Sequence, residues 1–209
     1  ILFTSRVITL PVGQMQSNCY IYKIDSSKAI VIDPGDDADY INQKLLELSL
    51  SPVAILLTHG HFDHVLGGFA VQLAFGCPVY IHKKDSLLLE RMRDTTIHFT
   101  QTDPGPAPII THFFTTETTI EFEDTKFFVL HTPGHTPGSL CFHDTKHGLV
   151  FTGDLIFADG TRGGVDHSYS DKRELLQSIH LLSKLPEDTT IYPGHGESFT
   201  VKELVSGVH

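Results

Sequence analysis

The sequence predicts an α/β fold in which two β-sheets lie face to face and helices cover their outer surfaces. Three observations support this fold class. Strand-like and helix-like segments alternate in each half of the chain, the strand-like segments are short and apolar, and turns containing Gly or Pro separate the segments. The chain has 209 residues, of which 40% are hydrophobic and 19% charged, a balance typical of globular proteins. We therefore expect residues 1–209 to form a single domain.

The first half of the chain shows both periodicities of secondary structure. Strands are indicated by short apolar runs, and helices by apolar residues three and four positions apart. In order, the predicted elements are strands Val7–Leu10, Cys19–Ile24 and Ala29–Ile32 with a turn at 25–28, helix Ala38–Leu48, strand Val53–Leu57, a helix near Val65–Phe75 that ends at Gly76, strand Val79–His82 and a helical segment at 83–95. The fully apolar run Val53–Leu57 indicates a strand covered on both faces.

The second half begins after a Pro- and Gly-rich loop at 100–108. Two hairpins and then a helix and a last strand are predicted, with a capping-box-like start of the helix at Asp171 and Glu174. The elements are strands Thr119–Phe122 and Phe127–Leu130, strands Leu140–His143 and Leu149–Phe151, a helix from 171 through Lys184 and strand Thr190–Tyr192.

Charge and cysteine content exclude several classes of partner. The formal net charge is −10 and only 15 residues are Lys or Arg, so the chain is a poor match for the phosphates of a nucleic acid. No stretch reaches transmembrane length, and residues 1–13 lack the features of a signal peptide. The three cysteines, Cys19, Cys77 and Cys141, form no CxxC pair. We therefore expect a cytoplasmic protein without disulfides that binds neither nucleic acid nor membranes.

Histidine is unusually frequent, with 14 in the chain, and several histidines recur in one local design. At four places an apolar, strand-like run ends and a turn with glycine delivers His or Asp. The four segments are Leu56–His64, Leu130–His135, Phe151–Asp154 and Tyr192–His195. Strand ends are rigid supports from which proteins present functional side chains. This repeated design indicates one shared site.

The residue types at these strand ends predict a metal centre. His59 and His61 flank Gly60 and can reach one ion, while Asp63 and His64 precede a helix and can address a second point nearby. Imidazole and carboxylate ligands suit zinc, iron or manganese better than calcium. One further histidine can complete each set, and a carboxylate can bridge them. The candidate ligands are His59, His61, Asp63, His64, His135, Asp154 and His195.

The motifs resemble those of the metallo-β-lactamase superfamily. THGHFDH is similar to the THxHxDH motif of that family, and HTPGHTPGS, FTGD and YPGHG resemble its later motifs in the same order, over about residues 18 to 197. The resemblance is to the glyoxalase II-like branch and implies a four-layer αββα sandwich. It also implies one metal on His59, His61 and His135, another on Asp63, His64 and His195, and Asp154 shared between them.

The resemblance implies a hydrolase that uses two divalent ions, with zinc the first expectation and iron or manganese the alternatives. The expected substrate is a small acyl thioester such as S-lactoylglutathione, or a related acyl ester. A metal pair lowers the pKa of bound water. Asp63 and Asp154 are the expected catalytic residues, because Asp63 would orient the water and Asp154 would bridge the ions.

There are three alternatives to a thioester hydrolase: two other enzymatic activities and one non-catalytic role. An iron-dependent glutathione persulfide dioxygenase shares this fold and would hold one iron with His59, His135 and Asp154. A β-lactamase is disfavoured because a common class of these enzymes has Cys at the position of Asp154. A non-catalytic binding module would require the open coordination positions to be blocked.

The sequence departs from the family pattern in two places. Relatives often carry Gly-Arg-x-Asp where this chain has residues 163–166, Gly-Gly-Val-Asp, and Arg162 stands two places earlier than that arginine. Only 14 residues follow His195, so we expect no separate C-terminal helical region that binds glutathione.

For residues next to the motifs, the expected roles are mainly structural. We expect a structural hydrogen bond from His131, local hydrogen bonds from Thr58 and Thr132, and a position outside the pocket for His167. Asp33 fits two roles equally well: a partner that orients a ligand histidine, or a turn former before Pro34.

Overall fold

In the computed structural model, which describes residues 5–207, twelve strands form two six-stranded sheets. The first sheet has the strand order β1-β2-β3-β4-β5-β6, with antiparallel pairing up to β3 and parallel pairing from β3 to β6. Its strands are β1 (Val7–Val12), β2 (Ser17–Lys23), β3 (Lys28–Ile32), β4 (Ser51–Leu56), β5 (Val79–His82) and β6 (His112–Phe114).

The second sheet has the order β12-β11-β10-β9-β8-β7, and its only parallel pair among the described residues is β10 with β11. Its strands are β7 (Thr118–Phe122), β8 (Thr125–His131), β9 (Leu140–Asp144), β10 (Leu149–Gly153), β11 (Thr190–Pro193) and β12 (Phe199–Thr200). The predicted pair of mixed sheets is therefore confirmed.

Helices cover the outer faces of both sheets. They are α1 (Ala38–Glu47), α2 (Phe62–Val65), α3 (Gly68–Phe75), α4 (Ser86–Glu90), α5 (Met92–Thr100), α6 (Lys172–Leu182) and α7 (Val201–Ser206), with a 3₁₀ turn at Lys83–Asp85. Within the described part of the chain, none of these helices is long and apolar enough to cross a bilayer. Asp171 accepts hydrogen bonds from the first amides of α6, as its sequence position predicts.

Three apolar layers fill the space between these elements. Alternation along β2 separates two of them: Tyr20 and Tyr22 point towards the second sheet, whereas Cys19 and Ile21 point towards the helices on the first. Strand β4 is buried on both faces, as its continuous apolar sequence predicts. A third apolar cluster packs the second sheet against α6. The three cysteines are buried and unpaired.

The prediction of one helix near Val65–Phe75 is wrong. Two helices cover this region, and the first begins at Phe62, three residues earlier than predicted. The chain bends at Gly67, whose amide donates a hydrogen bond to the carbonyl of Gly35. A side chain at Gly67 would come within 2.6 Å of the carbonyl oxygen of Pro34. The interruption therefore lets the backbone of this region pack directly on the loop that follows β3.

Two short strands were also absent from the prediction. Strand β6 has three residues and β12 has two. Runs this short carry too few residues for an alternating pattern to be recognised. Both occupy sheet edges and exist because the neighbouring strand supplies their hydrogen bonds.

Candidate metal centre

The candidate centre lies at the edge of the sandwich where strands of both sheets end in loops. Strand β4 leads into Thr58–His64, β8 into the loop at 132–139, β10 into Asp154, and β11 into His195. Main-chain hydrogen bonds connect these loops: Leu140 N donates to the Thr58 carbonyl at 2.8 Å and Gly194 N to the Gly153 carbonyl at 2.8 Å. These bonds fix the spacing of the loops from which the candidate ligands project.

Seven side chains from four loops meet at this edge. Six of them form two groups, and within each group the ligand atoms lie within 4.8 Å of one another. The first group is His59, His61 and His135, and the second group is Asp63, His64 and His195. A third such group, Asp33, His59 and His64, takes one histidine from each of these two. The division of the ligands between two ions therefore stays a prediction.

Asp154, the seventh residue, lies between the two groups. Its Oδ1 is 3.4 Å from Nε2 of His64 in the second group. Its Oδ2 is 3.6 Å from Nε2 of His135 in the first group and 3.7 Å from Nε2 of His195 in the second. One carboxylate therefore touches both groups, which is the position that a shared ligand requires.

Hydrogen bonds to residues outside the centre determine which ring nitrogen of His64 and of His135 faces the centre. Nδ1 of His64 lies 3.1 Å from Oδ2 of Asp33, and Nδ1 of His135 lies 2.8 Å from the carbonyl of Gly164. A carbonyl or carboxylate oxygen only accepts, so each Nδ1 must donate. Nε2 of His64 and Nε2 of His135 are left with lone pairs directed into the centre, as in metal sites with ordered outer partners.

His59 is oriented in the same way through Thr58. The Thr58 hydroxyl donates to Oδ2 of Asp33 at 2.5 Å, so its oxygen is free to accept from Nδ1 of His59 at 3.0 Å. Oδ1 of Asp33 also accepts from the amide of Thr58 at 2.7 Å. One buried carboxylate thus orients a histidine in each group.

Three buried atoms at the centre make no aligned hydrogen bond within residues 5–207, although two of them, on His64 and Asp154, lie 3.4 Å apart. They are Nε2 of His59, Nε2 of His64 and Oδ1 of Asp154. A buried polar atom left without a partner costs about 1–3 kcal/mol, so folded proteins rarely leave several together. Lone pairs and a carboxylate oxygen that converge in this way are the donors that a divalent cation uses. The residues present therefore fit a metal pair.

The electrostatics of the centre differ between the two groups of candidate ligands. In the second group, Asp63 and Asp154 outweigh the effect of burial and raise the pKa values of His64 and His195. Burial lowers the pKa of His59, and burial together with the nearby His135 lowers the pKa of His61 to about 3. Burial alone would raise the pKa of Asp154, but the neighbouring histidines, His64 first among them, together outweigh burial and lower that pKa. His59 and His61 are consequently neutral and Asp154 ionised near pH 7, which are the forms that bind divalent ions.

Two ring-bearing residues at the centre were not predicted to belong to it. The hydroxyl of Tyr169 lies 2.8 Å from Nε2 of His61, and the ring of His167 stacks on that of Tyr169 at 4.9 Å. Both line a cleft of about 530 Å³ that borders His61. The expectation that His167 lies outside the pocket is therefore wrong. Its only signal in the sequence was a position thirteen residues after Asp154, in a loop without regular pattern.

Asp85 is a third residue that sequence reasoning missed. Its buried carboxylate accepts hydrogen bonds from the amide of Gly60 at 2.9 Å, the hydroxyl of Thr136 at 2.7 Å and the amide of Gly138 at 2.6 Å. These donors belong to the loops that carry His59, His61 and His135. Asp85 thus holds the loops of the first group together, although its sequence context resembles an ordinary charged helix start.

The other residues next to the motifs have structural roles. Asp33 combines both of its expected roles, because it partners His64 and also turns the chain with a left-handed φ of 48°. Nε2 of His131 donates to the carbonyl of Pro137 at 2.9 Å, which confirms its structural hydrogen bond. Gly163 packs against the ring of His135, where a side chain would overlap that ring. Arg162 is exposed.

Comparison with known proteins agrees with this geometry. The model of the metallo-β-lactamase superfamily matches residues 12–195. The chain belongs to the metallo-β-lactamase superfamily. The fold and the family that the motifs predict are thereby confirmed, and the chain is assigned to this superfamily of metallo-hydrolases.

Three relatives show how far the similarity to other members of the superfamily extends. The hydroxyacylglutathione hydrolase GloC of Haemophilus influenzae is 34% identical over 195 residues, which are 92% of this chain and 91% of that protein. The crystal structure of BLEG-1 B3 metallo-β-lactamase has a TM-score of 0.90 at 35% identity and covers 96% of both chains. The structure of TTHA1623 in a di-iron-bound form has a TM-score of 0.84 at 33% identity and covers 94% of this chain and 96% of that one.

Proposed function

We propose that this protein is a metal-dependent hydrolase that cleaves a small acyl thioester, such as S-lactoylglutathione, or a related acyl ester. The observation that carries this proposal is that two groups of candidate ligands lie side by side. Nε2 of His59, Nε2 of His64 and Oδ1 of Asp154 are buried there without an aligned hydrogen bond. The similarity to a hydroxyacylglutathione hydrolase along 92% of the chain supports the choice of substrate.

We further propose that the first group holds one ion, the second group holds the other, and Asp154 binds both. Zinc is the expected metal because imidazole and carboxylate ligands with open positions suit it. A bound metal pair would supply a nucleophile at neutral pH, since it lowers the pKa of coordinated water, and would polarise the acyl carbonyl.

The residues of this chain hold and orient the reacting groups. Asp63 is placed to orient the attacking water, because its Oδ2 lies 3.4 Å from Nε2 of His64 and 3.3 Å from Nε2 of His195, and its carboxylate remains partly exposed. If Nδ1 of His61 bound a metal, Nε2–H of His61 would donate a hydrogen bond to the hydroxyl oxygen of Tyr169. The phenol proton of Tyr169 would then be free to donate towards the cleft. The cleft beside His61 therefore offers a hydrogen-bond donor to bound substrate.

Elemental analysis combined with a thioester assay tests the proposal. The purified protein should contain two divalent ions per chain and hydrolyse S-lactoylglutathione. Asp63→Ala and Asp154→Ala should each lower kcat/KM by at least about 100-fold, since each removes a metal ligand. Asp124→Ala, a change at an exposed turn between β7 and β8, is the matched control and should keep the wild-type rate. Wild-type rates in both ligand variants, with their folds intact by circular dichroism, would refute the two-metal mechanism.

Two alternatives have a specific observation in their favour. A similar structure is described in a di-iron-bound form, which favours iron as the metal. The persulfide dioxygenase alternative, which would use one iron, is tested by iron content and by oxygen uptake with glutathione persulfide. Another similar structure is that of a B3 metallo-β-lactamase, so hydrolysis of nitrocefin should be measured in parallel. Oxygen uptake or nitrocefin hydrolysis that far exceeds thioester hydrolysis would replace the proposed substrate.

A further inference from the structure

A second cavity opens beside Asp63, on the opposite side of Phe62 from the cleft that borders His61. It lies between the turn that joins β1 to β2 and helix α5, and its volume is about 130 Å³, against about 530 Å³ for the cleft. Phe62 lines both spaces. The two ligand groups thus face different recesses: the first group borders the cleft, through His61, and the second group borders this cavity, through Asp63.

The cavity wall is mainly hydrocarbon. Five of its thirteen lining residues are apolar side chains from three parts of the chain: Val12, Met15, Phe62, Leu66 and Pro104. The carboxylates that border it belong to Asp63, at the candidate centre, and to the exposed Asp36. Asp63 and Asp36 would repel a carboxylate on the part of a ligand that enters this cavity. An apolar chain would lose no hydrogen bonds by entering it.

The hydroxyl groups in the lining are already bonded to the main chain. The hydroxyl of Thr96 donates to the carbonyl of Met92 at 2.8 Å, and that of Thr100 donates to the carbonyl of Thr96 at 2.8 Å. The hydroxyl of Ser17 donates to the carbonyl of Asp63 at 2.5 Å. Because each hydroxyl already donates to a main-chain carbonyl, the two threonines offer mainly their methyl groups to a ligand in the recess. Thr102 donates to the carbonyl of Thr100 at 3.3 Å in the same way, which leaves the exposed amide of Gln14 as a side-chain donor in this lining. The recess therefore offers few hydrogen bonds to a polar ligand group.

We infer that this cavity is an acyl pocket and that the substrates are thioesters of straight-chain apolar acids. This inference rests on the proposed function and specifies its substrate class. A carbonyl carbon held at the candidate centre would direct its acyl chain past Asp63 into the apolar recess. The thiol portion would lie in the larger cleft, where Tyr169 and His167 offer polar groups. The short, hydroxylated lactoyl group is then a poorer substrate than a longer acyl chain.

A series of acyl chains provides the kinetic test. We would measure kcat/KM of the metal-loaded protein for the S-acetyl, S-butanoyl and S-hexanoyl thioesters of glutathione. The value of kcat/KM should rise about fourfold per methylene until the pocket is filled. This ratio follows because burial of one methylene contributes about 0.8 kcal/mol. Thr100→Phe fills the recess and should abolish this rise. Thr100→Val keeps its shape and removes only a hydroxyl that bonds the main chain, so the rise should persist.

Binding provides a readout that does not depend on turnover. Hexanoate carries the acyl chain without a leaving group and should shift the methyl resonances of Thr96 and Thr100, whereas acetate should not. Rates independent of chain length, or methyl resonances unmoved by hexanoate, would overturn the acyl pocket. The absence of hydrolysis of every thioester by protein with two bound ions would instead refute the proposed function. The two failures are therefore distinguishable.

Discussion

Replacement of Asp33 by Asn tests the idea that one buried carboxylate sets the ligand orientation in both groups. Asp33 accepts three hydrogen bonds from two residues: the amide of Thr58 at 2.7 Å, the hydroxyl of Thr58 at 2.5 Å and Nδ1 of His64 at 3.1 Å. An asparagine has nearly the same shape but offers one acceptor oxygen and two donor hydrogens. Whichever way the amide is placed, donors would face donors.

The cost follows from the number of donors that lose their acceptor. If the amide oxygen keeps the main-chain bond to Thr58, the Thr58 hydroxyl and His64 Nδ1 both face an NH₂ group. Each buried donor left without an acceptor costs about 1–3 kcal/mol, so the loss of two acceptors should lower the free energy of unfolding by about 2–6 kcal/mol. His64 can escape by moving its proton to Nε2, but that proton would then point into the metal site. Loss of such an outer partner lowers metal affinity about 10- to 100-fold.

Chelator competition and urea unfolding measure the two effects separately. Asp144→Asn is a matched control at the other end of the sandwich, where the Asp144 carboxylate is equally buried and accepts from the Tyr22 hydroxyl and from Nδ1 of His147. The control should lose stability to a similar extent and keep the wild-type metal affinity. If Asp33→Asn binds both ions as tightly as the wild type, the outer partner does not orient the ligands and the reasoning fails.

Three further predictions concern individual residues. A side chain at Gly194 would overlap Oδ1 of Asp154, so Gly194→Ala should lose at least one ion per chain by elemental analysis; retention of two ions would contradict the close approach. Tyr169→Phe removes the partner of Nε2 of His61 and should lower kcat/KM about 2- to 12-fold with unchanged metal content; a wild-type kcat/KM would exclude a role for the phenol. Burial lowers the pKa of His82 to about 4 from 6.5. Between about pH 6.5 and pH 4, His82 therefore binds a proton in the unfolded chain but not in the folded protein. The free energy of unfolding should fall as the pH drops through this range. Urea unfolding at several pH values should show a smaller fall for His82→Phe; an equal fall would show that another group is responsible.

The sequence predicts the candidate ligands well because their chemistry is carried by short motifs. THGHFDH supplies four of the seven residues within a single loop, and each of the remaining three follows a strand that ends in a glycine-containing turn. The structure brings all seven together, whereas their binding of metal stays a prediction that elemental analysis tests. The helix after the first motif was misplaced, because Gly67 interrupts it for a tertiary reason that no local pattern expresses.

Residues that support the ligands were harder to predict. Asp85 lies on a 3₁₀ turn in a charged segment, and Tyr169 lies in an irregular loop, so neither stands in a recognisable motif. Each acts through a hydrogen bond to a residue at least 25 positions away. Spacing along the chain carries no information about such contacts.

The amino-acid sequence by itself determined the donor atoms, their order along the chain and the alternation of strands and helices that presents them. These properties are local, because each depends on residue type and on the neighbouring few positions. Only the tertiary structure decided which nitrogen of the oriented histidines faces the centre, which outer partners orient them and which recess borders each group. Those features depend on hydrogen bonds and packing between loops of two separate sheets, and such contacts exist only once the sheets have come together.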